Sequence, residues 1–398
     1  MTKVKFRSYF SGLTKDSYYL ALTSLFSDIS YEILYPVLPI FLTQVLKGSG
    51  SIVGFIDGVA QASQNIIQGF SGTISDKLNK RKPVAIIGYS LSALSKPFIG
   101  LSTVWQQVLG ARFLDRVGAG TRSAPRDALI AASAGEENRG KAFGIEGIGD
   151  NLGAFLGPIL GVILLYSFNL QIRQIFYVAF VPGLLSVVMI LLVKEKAVVE
   201  KKKTELKLSP KNFSNNFWKY IAVTAIFGLG NSSNAFLILQ TKDIGVSLET
   251  TIIIYAFFNL VAALVSYPSG YLSDKFGRKK ILLFSFLIFI ASYLGFSVSK
   301  NVFLIGFLFI LYGIYQGIFR SVGKAFATDF VSPDLRASGI GWYSATIGLT
   351  GLIASIVAGE LWDRVGHPSV FVFGTVFAIL GTLAFVALVP QKSNPRVN

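Results

Sequence analysis

Cysteine is absent from the 398 residues of this chain, and histidine occurs once, as His367. Without cysteine there can be no disulfide framework and no thiolate metal site. A single histidine also argues against a multi-histidine metal centre, so we expect neither a metal nor a cofactor. No glycine-rich loop that would cradle phosphates is present, which argues against nucleotide hydrolysis as an energy source.

Charged residues are also scarce: they make up 15% of the chain, while hydrophobic residues make up 52%. Apolar runs recur throughout, and about twenty such residues can cross a bilayer core as a helix. Because lipid offers the backbone no hydrogen-bond partner, helices are expected throughout. We therefore predict an all-α membrane protein with twelve transmembrane helices, near residues 17–44, 50–75, 84–101, 104–130, 142–166, 173–193, 217–240, 248–273, 281–298, 302–328, 338–361 and 369–389.

The formal net charge of +16 could suggest nucleic acid as a partner, but its distribution indicates a membrane. Most of the 37 Lys and Arg fall in segments that the predicted helices place on one side. This asymmetry follows the positive-inside rule. We therefore expect a multi-pass inner-membrane protein in contact with the lipid bilayer, with both termini in the cytoplasm and no nucleic-acid partner. The first apolar stretch has no small-residue cleavage site and is expected to be retained as a helix.

The sequence repeats itself. Gly72-Thr-Ile-Ser-Asp76-Lys77 reappears as Gly270-Tyr-Leu-Ser-Asp274-Lys275, a shift of 198 residues (270 − 72), and the same shift carries Arg122-Ser-Ala-Pro-Arg126 onto Arg320-Ser-Val-Gly-Lys324. A charged stretch lies between the copies. We expect two homologous six-helix bundles, at 1–193 and 217–398, joined by a cytoplasmic linker at 194–216. Such duplications usually place a substrate site between the halves, near the midplane.

The repeated segment has a recognisable pattern. Gly72-x-x-Ser75-Asp76-Lys77-x-x-Lys80-Arg81-Lys82, between predicted helices 2 and 3, resembles the signature loop of the major facilitator superfamily, and its twin at 270–280 resembles it more closely. The positive-inside rule accounts for the cations, Arg81 and Arg278 among them, but not for two copies of the Gly and Asp spacing. The resemblance implies that Asp76 helps to lock the two halves during alternating access. Conformational roles are thus expected for Gly72, Asp76, Arg81, Gly270, Asp274 and Arg278.

Predicted helix 5 contains a second pattern, made of Gly144, Gly153, Gly157-Pro158 and Gly161. It resembles the motif that marks antiporters of this superfamily, in particular the bacterial drug/proton-antiporter branch, except that Val162 replaces its last glycine. Glycines every four residues form a face that another helix can approach closely, and Pro158 favours a bend. The alternative is helix packing with no bearing on direction. If the resemblance holds, the expected direction is export.

Predicted helix 4 is unusually charged. Arg112-x-x-x-x-x-Gly118-x-Gly120 resembles the family's fourth-helix motif, whose arginine is linked to proton transfer. Asp115-Arg116 stands where the family usually has an amide and a glycine. The relay arginine is therefore open between Arg112 and Arg116.

Predicted helix 1 carries Asp28 and Glu32, one helical turn apart. Because two ionised carboxylates on one face repel, we expect at least one of them to exchange a proton near neutral pH. The alternative is a permanent salt bridge between helices 1 and 4. Glu146 and Asp150 of helix 5 add to an acidic set in the first half. The predicted proton-coupling residues are Asp28, Glu32, Asp57, Arg112, Asp115 and Arg116.

Eight side chains are candidates for substrate binding: Arg122, Arg126, Asn231, Asn234, Tyr312, Gln316, Arg320 and Lys324. The four cations form two pairs, one turn apart, that can bind an anion. Charge pairing at the helix ends ranks ahead of that role, with Asp127, Asp329, Glu146 or Asp150 as partners. The amides and tyrosines suit an amphipathic small molecule, or they hydrogen-bond helices to one another. Lys96 is expected to snorkel to the membrane surface.

These features predict a proton-coupled secondary transporter of a small molecule, an exporter that works by alternating access as a monomer. Alternatives are an uptake symporter of an organic anion, or a receptor or lipid-handling protein on the same scaffold. An intramembrane enzyme built on Asp28, Glu32 and Asp57 is disfavoured, because no catalytic motif is recognisable and the repeat would be unexplained.

Overall fold

The computed structural model describes residues 12–78, 80–135, 138–195, 209–332 and 335–390, and of residues 72–78 it describes the backbone alone. Within these ranges the regular elements are helices, and no strand occurs. The helical segments are α1 Lys15–Val45, α2 Gly50–Leu78, α3 Arg81–Leu101, α4 Trp105–Ser133, α5 Arg139–Ser167, α6 Ile172–Leu192, α7 Asn215–Asp243, α8 Leu248–Phe276, α9 Arg278–Val298, α10 Val302–Thr328, α11 Arg336–Arg364 and α12 His367–Leu388.

The predicted helix ranges lie within a few residues of the observed ones, as expected for ends that fray. Ten of the described segments are long and apolar enough to cross a membrane, and α2 and α4 are not among them. α4 is polar because it carries Arg112, Asp115, Arg116, Arg122, Arg126 and Asp127. The prediction of an all-helical, multi-pass membrane protein is confirmed. Most of the predicted linker, residues 196–208, lies outside the described residues.

Local sequence sets several helix ends. Ser214, Ser247 and Asn301 accept hydrogen bonds from first-turn N–H groups of α7, α8 and α10, which satisfies donors that a helix start leaves free. Gly277, between α8 and α9, has a φ of 96° that glycine adopts without strain. α7 is interrupted, because residues 231–234 are not helical.

The helix bounds repeat with the offset found in the sequence. α2 and α8 begin 198 residues apart (248 − 50) and end 198 residues apart (276 − 78). α9, α10 and α11 begin 197 residues after α3, α4 and α5 (278 − 81, 302 − 105, 336 − 139). The first six and the last six segments therefore follow the same order with nearly the same lengths.

The two ends of the helix bundle differ in charge. Among the described residues, the basic end holds the turns near 80, 134–135, 193–195, 209–214, 277 and 329–332, with Lys80, Lys82, Arg139, Lys211 and Lys279 at or beside them. The opposite end holds the turns at 46–49, 102–104, 168–171, 244–247, 299–301 and 365–366.

α2 of the first six helices packs against α11 of the second six along a seam of small residues. A methyl group built at Gly54 would lie 2.1 Å from the backbone oxygen of Ser355, and one at Gly359 would lie 2.5 Å from the Cα of Ser51. Nearer the basic end, a methyl group at Gly69 would lie 3.5 Å from the Cα of Gly341. The two backbones therefore run close together over most of their length.

α5 and α8 form a second seam, which is closed only in part. Toward the opposite end the backbone N–H of Glu249 donates to Tyr166 Oη at 2.9 Å, and at mid-depth Asn259 Nδ2 donates to the oxygen of Ala154 at 3.1 Å.

Nearer the basic end, Gly147 continues the face of Ala154 two turns away, and Gly270 continues the face of Asn259 three turns away. A methyl group at either glycine would meet no atom within 4 Å. Gly147 of α5 and Gly270 of α8 therefore border open space, which is called the cleft below.

Candidate functional site

The charged residues of α4 form a buried ion cluster with α2 and α3. Asp115 Oδ1 lies 2.6 Å from Lys96 Nζ, and Asp115 Oδ2 lies 2.7 Å from Arg116 Nη2 and 3.2 Å from Arg112 Nη1. Arg112 Nη2 continues to Asp57 Oδ1 at 2.8 Å. These five buried side chains are called the ion cluster below.

Close packing of α3 on α4 brings Lys96 into the ion cluster. Gly88 and Gly118 face each other, and a methyl group at either would lie within 2.6 Å of the other's backbone oxygen. The prediction that Lys96 snorkels to the surface is wrong, since its side chain is only 2% exposed and binds Asp115. An ionised lysine at this depth needs a buried partner, and the carboxylate of Asp115 supplies it.

With every member ionised, the ion cluster carries three positive and two negative charges, a net of +1 (3 − 2). The guanidinium of Arg116 lies 4.0 Å from the ring centroid of Tyr31, and Arg116 Nη1 donates to Gln64 Oε1 at 2.9 Å. The face of an aromatic ring stabilises a nearby cation. Within the described part of the chain, Arg112 Nε is buried without a hydrogen-bond partner. The cluster therefore holds one more cation than its carboxylates neutralise.

Asp57 connects the ion cluster to the second six helices. Its Oδ2 accepts from Ser233 Oγ at 2.5 Å and from Tyr35 Oη at 3.2 Å. Ser233 lies in the interruption of α7, and its backbone N–H donates to Ser355 Oγ of α11 at 3.1 Å. Any displacement of α7 from α2 would therefore change the hydrogen bonding of Asp57.

The two carboxylates of α1 lie against the predicted glycine face of α5. A methyl group at Gly153 would lie 2.8 Å from Asp28 Cβ, and one at Gly157 would lie 2.7 Å from Glu32 Cβ. Gly161 extends this contact, and Pro158 lies inside the helix. Gly144 takes no part, because a methyl group there would meet no atom within 4 Å.

Asp28 and Glu32 have separate partners. Asp28 lies beside Asp150 of α5. Glu32 Oε2 accepts from Asn259 Nδ2 of α8 at 3.2 Å. Neither forms a salt bridge with Arg112 or Arg116 among the described contacts. Their role as a proton-carrying pair stays a prediction.

The four candidate cations differ in their surroundings. Arg126 is charge-paired, with Nη1 3.2 Å from Glu146 Oε1 and Nη2 2.9 Å from Asp127 Oδ1. The guanidinium of Arg122 lies 4.3 Å from the ring centroid of Tyr89.

On α10, Lys324 is half-buried and Arg320 is exposed. Arg320 Nη2 donates to the side-chain oxygen of Gln316 at 2.7 Å, in the amide orientation that satisfies both groups. Arg320 is thus held by a neutral amide, whereas Arg126 is held by two acids.

The candidate amides bind α7 to α10. Tyr312 Oη donates to Asn234 Oδ1 at 2.8 Å and to Asn231 Oδ1 at 3.3 Å, and Asn231 Nδ2 donates to Tyr315 Oη at 3.0 Å. These hydrogen bonds hold the interruption of α7 in place. In this structure these residues therefore hydrogen-bond one helix to another, as the alternative to substrate binding predicts.

Of the two copies of the signature loop, the structure describes the side chains of the second, at 270–280. The side chains at 72–79, which include Gly72 and Asp76, lie outside the described residues. In the second copy, Asp274 Oδ1 lies 3.1 Å from Arg278 Nη2, and Arg278 Nη1 also pairs with Asp329, the residue that follows α10. Gly270 faces the open cleft. The backbone N–H of Arg81 donates to Glu195 Oε1 at 2.6 Å, which joins the starts of α3 and the linker.

Sequence reasoning missed Asn259, the α8 partner of Glu32. A single amide in an otherwise apolar stretch was the available signal, because a polar group at membrane depth usually needs a specific partner. Within the described residues, no group of three or more His, Asp or Glu side chains that could hold a metal ion occurs.

Comparison with known sequences places the chain in a family. The family model described as Major Facilitator Superfamily matches residues 20–240 and again residues 220–398. An uncharacterized MFS-type transporter of Methanocaldococcus jannaschii is 35% identical over 377 residues, which cover 93% of this chain and 94% of that protein. The quinolone resistance protein NorA of Staphylococcus aureus is 26% identical over 352 residues, which cover 83% of this chain and 86% of NorA.

Solved structures of transporters share the fold. The nucleoside transporter NupG superposes with a TM-score of 0.78 at 16% identity, over 95% of this chain and 100% of NupG. A D-xylose-proton symporter superposes with a TM-score of 0.73 at 14% identity, over 95% of this chain and 98% of the symporter.

Proposed function

This chain belongs to the Major Facilitator Superfamily and is a membrane transporter, not an enzyme; from this premise we propose that it is a proton-coupled secondary transporter that exports a small molecule. The proposal includes a monomer in which all twelve helical segments cross the inner membrane. α2 and α4 are included because the charges of the ion cluster are buried inside the protein and not presented to lipid.

The proposed transport units are residues 1–193 and 217–398, connected by 194–216. The repeated helix bounds support this division. The basic end is assigned to the cytoplasm together with both termini, because cations accumulate on that side of a membrane protein. On this assignment the open space beside Gly147 and Gly270 lies nearer the cytoplasm, the side from which an exporter takes up its substrate.

One observation carries the proton coupling: Glu32 of the first unit accepts a hydrogen bond from the neutral amide of Asn259 in the second. A neutral donor can satisfy a carboxyl group in either protonation state, whereas a fixed cation, such as the Arg112 that pairs with Asp57, strongly favours the ionised one. The hydrogen bonds from Asn259 to Glu32 and from Ser233 to Asp57 cross between the units, so they break when the units separate. Proton affinity and conformation are thereby linked.

Export is supported by the glycine face of α5 and by the similarity to NorA. The face seats Asp28 and Glu32 against the α5 backbone, so it bears on the proposed coupling residues as well as on packing. NorA is a quinolone resistance protein, and quinolones are accordingly the first substrates to test.

The test of transport uses the purified protein in liposomes. Ligands are first identified by thermal stabilisation, since a ligand stabilises the state that it binds. The screen covers quinolones, nucleosides, sugars, organic anions, siderophores and lipophilic cations. A stabilising ligand should then move across the membrane when a pH gradient is imposed without ATP. If no stabilising ligand responds to the gradient, the proposed coupling is wrong.

The test of the coupling residues uses Asp28→Asn and Glu32→Gln. Each should abolish pH-driven transport while preserving gradient-independent exchange of substrate, because exchange requires no net proton turnover. Asp127→Asn is the matched control, since this acid is half-exposed at the end of α4. If both variants transport like the wild type, the coupling site lies elsewhere, with Asp57 and Asp150 next.

The second candidate is an uptake symporter for an organic anion, and Arg320 is the observation that favours it. Its guanidinium is exposed and is held by a neutral amide, so it is available for a carboxylate or phosphate. Accumulation of an anionic ligand together with protons, in the direction of the proton gradient, would establish this alternative over export.

A further inference from the structure

We propose that Asp363, the penultimate residue of α11, is the gate residue that holds the opposite end of the transporter closed. It does so by capping the N-terminus of α2, a helix of the other unit. The inference rests on the alternating-access part of the proposed function and concerns a residue to which neither the sequence patterns nor the ion cluster assigns a role.

The carboxylate of Asp363 makes three hydrogen bonds to α2. Asp363 Oδ1 accepts from the backbone N–H of Gly50 at 2.8 Å, and Oδ2 accepts from the backbone N–H and the hydroxyl of Ser51 at 2.8 and 2.5 Å. A helix start leaves its first N–H groups without partners inside the helix. Here those groups are satisfied by a residue more than 300 positions away in the sequence.

The local cap of α2 does not compete with Asp363. Ser49 Oγ accepts from the backbone N–H of Ile52 at 3.4 Å, and the backbone oxygen of Ser49 accepts from Val53 at 3.2 Å. These bonds leave Gly50 and Ser51 for the carboxylate. A negative charge is also favoured at a helix start, because the N–H groups concentrate positive partial charge there. The contact is therefore a charge-assisted anchor between the two units.

Neighbouring residues hold Asp363 in position. Trp362 contacts α2 directly, since a methyl group at Gly50 would lie 2.6 Å from its Cδ1. The indole ring stacks on the imidazole of His367, with centroids 3.9 Å apart, and His367 Nδ1 lies 2.6 Å from Asp243 Oδ2 of α7. The start of α12 and the end of α7 thus support the end of α11 that reaches α2.

The position of the contact gives it a gating role. Asp363 lies at the opposite end, where α11 contacts the start of α2, while the open space beside Gly147 and Gly270 lies nearer the basic end. To admit water at the opposite end, α11 must move away from the start of α2, and all three hydrogen bonds must break. Removing the carboxylate should therefore favour the state open at the opposite end and closed at the basic end.

The absence of cysteine permits a direct test with single-cysteine reporters. Val53→Cys reports on the opposite end, because Val53 is buried three residues into α2. Gly147→Cys reports on the basic end, because a side chain there faces the cleft. Each reporter is combined with Asp363→Ala or with the matched control Glu360→Ala. The control removes a carboxylate from the same end of α11, but this carboxylate pairs with Arg364 and not with α2.

Labelling of the purified protein with a hydrophilic maleimide should then change reciprocally. We expect Asp363→Ala to raise the labelling rate at Val53→Cys about tenfold or more, since losing charge-assisted hydrogen bonds shifts a two-state equilibrium by at least that factor. The rate at Gly147→Cys should fall, and Glu360→Ala should change neither rate. If Asp363→Ala does not fold, Asp363→Asn, which keeps the shape and loses the charge, should produce a smaller change of the same sign.

Two results would overturn the proposal. Unchanged labelling at both reporters would mean that Asp363 does not bias the equilibrium. Faster labelling at both would mean that it supports the fold and not one conformation. Labelling does not depend on the transported ion or substrate. A failed gate is therefore distinguishable from a failed coupling assignment, which appears only in the liposome assay.

Discussion

Replacing Asp115 with asparagine should destabilise the protein more than any other single carboxylate-to-amide change in α4. Asp115 is 0% exposed and accepts hydrogen bonds from three cations, Lys96, Arg112 and Arg116. Its removal raises the net charge of the buried ion cluster from +1 to +2 (3 − 1). Removing one partner of a buried ion pair costs about 3–5 kcal/mol.

Asp127→Asn is the matched control, because it makes the same chemical change on the same helix at a side chain that is 50% exposed. An exposed ion pair contributes only about 0–1 kcal/mol. The free energy of unfolding should therefore fall by about 3 kcal/mol or more for Asp115→Asn and hardly at all for Asp127→Asn. Reversible unfolding in mixed detergent micelles, titrated with a denaturing detergent, measures both values.

A second substitution separates the charge from the shape of Asp115. Combining Asp115→Asn with Lys96→Met returns the net charge of the ion cluster to +1 (2 − 1). The double variant should therefore be more stable than Asp115→Asn alone, with a coupling of about 0.5–3 kcal/mol. If Asp115→Asn and Asp127→Asn cost the same, or if Lys96→Met rescues nothing, the account of the ion cluster is wrong.

Three further predictions follow from other contacts. Gly157→Val should lower the free energy of unfolding by about 1–3 kcal/mol because it collides with Glu32, whereas Gly144→Ala, which faces open space, should not; thermal unfolding measures both. Arg320→Gln should weaken thermal stabilisation by anionic ligands and leave that by neutral ligands unchanged, whereas the same substitution at the charge-paired Arg126 should show no such selectivity. Equal loss of stabilisation by all ligands would refute an anion site at Arg320. Asp76→Asn should slow transport and leave ligand affinity unchanged, and normal turnover would remove the locking role expected for this residue.

Helices and their order could be predicted from the sequence, because apolar runs of membrane-spanning length admit essentially one backbone structure in lipid. The glycine face of α5 could also be predicted, because a four-residue spacing of small side chains is typical of close helix packing. The pattern alone could not predict that Asp28 and Glu32 pack on this face, since the spacing identifies a packing surface but not the residues that contact it.

The polar contacts were harder to predict for the same reason. Lys96 next to Pro97 resembles a lysine near a helix end, and only the close approach of α3 to α4 turns its ammonium inward to Asp115. Asp28 and Glu32 share a helix face, yet one meets Asp150 and the other meets Asn259 on a different helix. The two carboxylates lie only one helical turn apart on α1. Tertiary packing decides which helix lies against each of them.

The seam between α2 and α11 has a kinetic consequence. Contacts such as those of Gly54 with Ser355 and of Gly359 with Ser51 are made by backbone atoms and by the smallest side chains. Because few side chains at such a surface must change rotamer, the two helices can move relative to each other without the repacking that interlocked large side chains require. The activation barrier to rocking should therefore reside mainly in polar contacts such as the one that Asp363 makes at the opposite end of the seam. Widening the middle of the seam with a larger residue should slow the cycle even where both end states are equally stable.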